Sequence, residues 1–125
     1  MRILVISQYF YPENFRINDL CLGLKEKGHD ITVVTGKPNY PKGNFFSSYS
    51  FFNKPVEKYK GIKVYRSPII PRGNASGLML FLNYISFVFF GTVKLFFVKE
   101  KFDKIFVYAP SPITVGYIGI IASFL

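Results

Sequence analysis

The sequence is poor in cysteine and in acid. Cys21 is its only cysteine among 125 residues, which excludes an internal disulfide and any multi-cysteine metal site within the chain. A reducing compartment fits that content. No group of His, Asp or Glu has the spacing of metal ligands, no G-x-G-x-x-G follows the first apolar run, and no Walker sequence occurs. Metal, dinucleotide and P-loop chemistry therefore have no motif to rest on. After Met1 and Arg2 the apolar run Ile3 to Ile6 is too short for a signal-peptide core, so the cytoplasm is the expected location.

What is present is apolar mass and positive charge. Half of the residues are hydrophobic, enough for one packed domain over residues 1–125. The net charge is +9, and +7 of it falls between Lys37 and Arg72, where Lys37, Lys42, Lys54, Lys58, Lys60, Lys63, Arg66 and Arg72 face Glu57 alone. Such a stretch predicts a surface that attracts phosphates or anionic lipid. No nucleic-acid recognition motif accompanies it, so nucleic acid is not an expected partner.

The order of elements predicts an α/β domain. Ile3 to Ile6 and Ile31 to Thr35 are continuous, β-branched runs of the kind buried on both faces of a parallel sheet. Between them Ile17, Leu20, Cys21 and Leu24 recur at helical spacing and Gly28 supplies the stop, giving a βαβ unit. Val56 to Tyr59 and Ile62 to Ser67 flank Lys60-Gly61 as a hairpin. Asp103 to Tyr108 reads as a further buried strand, and Thr114 to Leu125 as an apolar helix with no stop signal, the pattern expected of a longer domain.

Gly77 to Val98 is an apolar, Phe-rich helix of roughly 33 Å at 1.5 Å per residue. Ser76, Asn83, Ser86, Lys94 and, continuing the same spacing, Lys101 lie along one narrow stripe and nearly everything else is apolar. A helix docked on a sheet buries one face, so the remaining apolar flank needs a membrane surface, another protein face or a bilayer to cross. With Lys94, Lys99, Lys101 and Lys104 nearby, an anionic membrane surface is the favoured partner. Leu80, Phe81, Phe87, Phe89, Phe90 and Lys94 are the expected contacts.

In an open parallel sheet ligands bind beyond the carboxyl ends of the strands. The first such loop, Gln8 to Arg16, leads into a helix N-terminus. There Asn14 and Arg16 either hold a phosphate or serve as cap and solvated cation. In the second, Gly36 to Gly43, Asn39, Tyr40, Lys42 and Gly43 are candidates to grip a sugar or phosphate. The plain alternative is a Pro-Gly turn. In the third, Ser111 between two prolines caps the following helix or meets a ligand. His29 enters the second strand at the opposite edge, which argues against a catalytic role.

Taken together, MRILVISQYFYPENF at Met1 to Phe15, KGHDITVVTG at Lys27 to Gly36, PNYPKG at Pro38 to Gly43 and VYAPSP at Val107 to Pro112 resemble family 4 retaining glycosyltransferases of the WbuB type, associated with O-antigen and capsule assembly. The resemblance implies the N-terminal, acceptor-side half of a GT-B enzyme: a Rossmann-like three-layer domain with a mainly parallel sheet, peripheral to the inner face of the cell membrane. It implies a lipid-linked saccharide acceptor and no obligatory metal or cofactor. The nucleotide-sugar donor would bind a C-terminal domain outside this sequence. The catalytic residues are unassigned, and the chain alone is expected to be inactive. Many family members carry Gly-Gly in the first loop where this chain has Asn14-Phe15-Arg16, which shifts phosphate binding onto Arg16 and Asn14. The competing expectation is a complete, non-catalytic membrane-docking subunit that recruits a separate catalytic chain.

Overall fold

The first apolar run forms an inner strand of a mostly parallel sheet. A computed structural model describes residues 1–13, 15–40, 42–46, 49–50, 53, 55–108 and 115–125. In chain order it contains β1 (Arg2–Ser7), α1 (Arg16–Glu26), β2 (Asp30–Gly36), β3 (Val56–Tyr59), β4 (Ile62–Ser67), α2 (Gly77–Leu95), β5 (Lys104–Tyr108) and α3 (Val115–Phe124). The strand order is β3-β4-β2-β1-β5. β4, β2, β1 and β5 are parallel, and β3 joins antiparallel to β4. The architecture is α/β and compatible with a Rossmann-like domain.

Both faces of the sheet are covered, which is why β1 and β2 read as unbroken apolar runs rather than alternating ones. Ile3, Val5, Ile31 and Val33 pack with Ile17 and Cys21 of α1. Leu4, Ile6 and Val34 face the other way, against Phe87 and Leu95 of α2 and Ile118 of α3. In β4, Val64 joins the first layer and Tyr65 the second, so adjacent residues are both buried.

Local chemistry sets the ends of these elements. α1 closes in a Schellman motif: Gly28 N donates to Lys25 O at 3.0 Å and His29 N to Leu24 O at 3.2 Å, with Gly28 at φ +93°. That left-handed position suits a residue without Cβ. Lys60 and Gly61 both have positive φ, at 50° and 85°, between the paired residues Tyr59 and Ile62. This is the backbone of a type I′ hairpin turn.

α2 is amphipathic in the reverse of the usual sense. Its inward residues include Asn83 and Ser86 together with Phe87, Gly91 and Leu95. Its outward residues are Leu78, Phe81, Ile85, Phe89 and Val93, with Phe96 and Phe97 beyond its last turn. The inward polar groups are matched: Asn83 Nδ2 donates to Ile70 O at 2.7 Å, Gln8 Nε2 donates to Asn83 Oδ1 at 2.5 Å, and Ile70 N donates to Ser86 Oγ at 2.9 Å. The helix is thus clamped onto the segment after β4 by hydrogen bonds within an otherwise apolar layer. Ser76 caps its start, accepting from Met79 N at 3.3 Å.

Two sequence expectations for this helix need correction. Phe87 is not a membrane contact: it is fully buried beneath α2 among Leu4, Ile6, Val34 and Tyr65. The helix also stops at Leu95 rather than Val98, because Phe96, Phe97 and Val98 turn back in i to i−3 hydrogen bonds to Val93, Lys94 and Leu95. Phe81 and Phe89 are exposed at 59% and 61%. Leu80, Phe90 and Lys94 are half-buried. Burial lowers the pKa of the Lys94 ammonium, which lies 5.9 Å from the Phe97 ring centroid.

Candidate functional site

The loops following β1, β2 and β4 meet at the carboxyl edge of the sheet, and Glu13 joins the first two. Its carboxylate accepts from Phe10 N at 3.3 Å, Asn39 N at 3.0 Å and Tyr40 N at 2.8 Å. Asn39 then reaches the third, its Oδ1 accepting from Arg72 N at 2.9 Å. A second tie runs alongside, with Gly73 N donating to Gly43 O at 2.9 Å. Gly43 has φ +86°, and a Cβ there would lie 1.8 Å from Gly73 O. Only glycine fits this close crossing of two backbones.

Aromatic side chains and one guanidinium occupy the frame. Tyr9 stacks on Phe15 with centroids 4.5 Å apart, and Tyr40 meets Phe15 at 5.0 Å and Tyr9 at 5.7 Å. The Arg72 guanidinium lies 5.1 Å from the Tyr40 ring and donates through Nη1 to Tyr9 Oη at 2.6 Å. Burial pushes the Tyr9 phenol up to about 12, against the lowering effect of Arg72, so it keeps its proton at neutral pH. Burial also pushes the Glu13 carboxyl up to about 7, opposed by its three backbone donors and by Arg66.

The basic stretch is not one open anionic-ligand surface, which corrects the charge count. Arg66 is 1% exposed. It donates through Nε to Glu57 Oε1 at 2.6 Å, through Nη1 to Gly36 O at 3.1 Å and through Nη2 to Tyr11 O. It is a tether between β4, β3 and the first loop. Lys37 is also 1% exposed, and Lys63 is paired with Glu100 at 2.8 Å. Lys42, Lys58 and Lys60 remain exposed, while Lys54 lies outside the described residues.

The sequence candidates divide accordingly. Asn39, Tyr40 and Gly43 stand together in the frame and Lys42 is exposed on the same loop, although Asn39 is buried and holds Arg72 in place rather than facing a ligand. Arg16 is exposed and turns to a different place, a cavity of about 650 Å³ lined with Asp19, Leu20, Phe106 and Tyr108, between α1 and β5. Asn14 and Ser111 lie outside the described residues. The α1 N-cap is Phe15, which makes no side-chain cap bond. His29 stands at the far edge, its Nδ1 3.3 Å from the Met1 amino group. A cavity of about 700 Å³ lined by Leu95, Val98, Lys99, Lys101 and Ile105 also belongs to that far edge. Among the described residues no group of three His, Cys, Asp or Glu is arranged to hold a metal.

Sequence reasoning did not single out Tyr9, Glu13, Phe15 or Arg72 as a unit. The available signal was the density of aromatics in Gln8 to Phe15 beside a lone acid, Glu13, in a loop at a ligand edge. The fold and this edge define the chain as a mostly parallel α/β domain with a ligand-edge frame of aromatic and cationic groups. No protein-family model and no curated protein matches the chain.

Proposed function

We propose that the chain is the acceptor-side domain of a retaining GT-B glycosyltransferase acting in bacterial surface-polysaccharide synthesis, apposed to the cytoplasmic face of the membrane. The observation that carries this reading is the proximity of two surfaces. The frame of Tyr9, Phe15, Tyr40 and Arg72, with Lys42 exposed on the same loop as Tyr40, suits a phosphate-bearing saccharide. The helix clamped to the same β4 segment presents an apolar outer face. A lipid-linked saccharide has a part for each. The inner face of α2 is already occupied by the sheet, so the helix would lie in the interfacial layer rather than cross it. Lys94, Lys99, Lys101 and Lys104 at its C-terminal end favour anionic headgroups.

In the transfer itself an acceptor hydroxyl oxygen bonds to the anomeric carbon as the bond from that carbon to the phosphate oxygen breaks. The nucleoside diphosphate leaves with the bonding pair and takes up the hydroxyl proton. Donor recognition falls to a second domain or a partner chain, and this domain orients the acceptor. The test is retention and turnover of a polyprenyl-diphosphate saccharide in anionic vesicles. The chain alone should retain the acceptor and leave a nucleotide-sugar intact. Turnover by the chain alone, or acceptor retention no greater than that of empty vesicles, overturns the reading.

A further inference from the structure

The two arginines at the ligand edge are used in opposite ways. Arg66 is sealed in the protein, with Nε, Nη1 and Nη2 all committed to Glu57, Gly36 and Tyr11. Arg72 is half-buried, and among the described residues its side chain gives one hydrogen bond, to the Tyr9 hydroxyl. A guanidinium carries five N–H donors in a planar fork. Its Cζ lies over the rings of Tyr40 and Tyr9, at 5.1 and 6.0 Å from their centroids. Among the described residues no carboxylate is ion-paired with it. Its main chain is fixed as well, through Arg72 N to Asn39 Oδ1 and the neighbouring Gly73 N to Gly43 O. The fork is therefore held in position with most of its donors unspent among the described residues.

We propose that Arg72 is the phosphate-recognition group of this edge. It takes two oxygens of a phosphoryl group in a bidentate hydrogen bond, while Lys42 on the adjoining loop supplies further positive charge and the organic part of the ligand rests against Tyr40 and Phe15. Several features favour phosphate over a neutral sugar. The Arg72 guanidinium sits at the edge with no carboxylate paired to it among the described residues, and Tyr9, whose oxygen accepts from Arg72, retains its own O–H to donate. A planar fork matches paired phosphoryl oxygens better than a hydroxyl. The ester partner is either an amphiphile or a nucleoside, and the same oxygens would be recognised in both. The inference rests on the acceptor reading for its biological context only, because phosphate binding is measurable without any transfer.

The experiment is calorimetric titration of the chain and its variants with inorganic pyrophosphate, a short-chain alkyl diphosphate and a nucleoside diphosphate. The wild-type chain should bind pyrophosphate in a salt-sensitive manner. Arg72→Ala should weaken this at least about tenfold, and Arg72→Lys by several-fold, since an ammonium keeps the charge and loses the fork. Arg16→Ala should bind like the wild type. Far-UV circular dichroism checks that each variant is folded, and the lysine variant keeps the test informative should alanine unfold the loop. Tighter binding of the alkyl diphosphate assigns the site to an amphiphile. Tighter binding of the nucleoside diphosphate assigns it to a nucleotide and counts against the acceptor reading while leaving the phosphate site standing. No binding of any of the three by the wild type, or equal binding by folded Arg72→Ala or Arg72→Lys, overturns the proposal.

Discussion

Replacing Asn83 by leucine on an ordinary surface helix of this composition would extend an apolar face at little cost. Here it should be among the most damaging single changes in the molecule. Asn83 is completely buried, and its amide satisfies both the Ile70 carbonyl, at 2.7 Å, and the Gln8 side-chain amide, at 2.5 Å. Leucine leaves both buried groups without a partner, at about 1–3 kcal/mol each, and recovers only part of that through its greater apolarity. The expected net loss is about 3 kcal/mol, equivalent to a fall in Tm on the order of 10 °C for a domain of this size. Phe89→Ser, on the exposed face, should stay within about 1 kcal/mol, the small loss coming from its edge contact with Phe90 at 5.1 Å. Urea unfolding of the three proteins, followed by circular dichroism, measures both differences. If Asn83→Leu were neutral or stabilising while Phe89→Ser cost several kcal/mol, α2 would be docked by its other face and the reasoning from its inversion would fail.

Three further outcomes are expected. The Glu13 carboxyl is raised from 4.5 to about 7 in the folded chain, so its contribution to stability is fully present below pH 4.5 and is lost as pH rises through 7. The loss is on the order of 3 kcal/mol, and urea midpoints should fall between pH 5 and pH 8 in the wild type but stay level in Glu13→Gln. Gly43→Ala should destabilise by about 2–4 kcal/mol and loosen the Asn39 to Gly43 loop, because φ is +86° and the new Cβ would collide with Gly73 O. Proteolysis within that loop reports the loosening. Thr35→Val should raise the unfolding free energy by about 1 kcal/mol, since the Thr35 hydroxyl is fully buried with no hydrogen-bond partner among the described residues. A clear loss of stability would show that the hydroxyl is satisfied by something other than the described residues.

Much of the fold is legible locally. The continuous runs of β1 and β2, the Gly28 stop and the Lys60-Gly61 turn each specify their geometry within a few residues. The facing of α2 is not legible in that way. Its polar stripe is plain in the spacing of Asn83 and Ser86, but a stripe of that kind can meet water or a buried loop. What decides between them is the main chain at Ile70 and the side chain of Gln8, the latter 75 positions away from Asn83. The site follows the same rule. Asn39, Tyr40, Lys42 and Gly43 are found from one loop's composition. Arg72 gains its meaning only once Asn39 holds its amide and Tyr9 and Tyr40 hold its guanidinium. The charge count failed for Arg66 because composition cannot tell a tether from a surface cation.

Among the described residues the Glu13 carboxylate grips its neighbours by main-chain amides alone, at Phe10, Asn39 and Tyr40. Any residue except proline offers that amide. The side chain at Tyr40 is therefore free to be exchanged without unpicking this joint, whereas Asn39 is held by its own amide group as well as by its backbone. A single buried acid leaves the edge behaving as a socket, its backbone shape constant and one of its walls open to replacement, so redesign of ligand preference should begin at Tyr40 and leave Glu13 and Asn39 untouched.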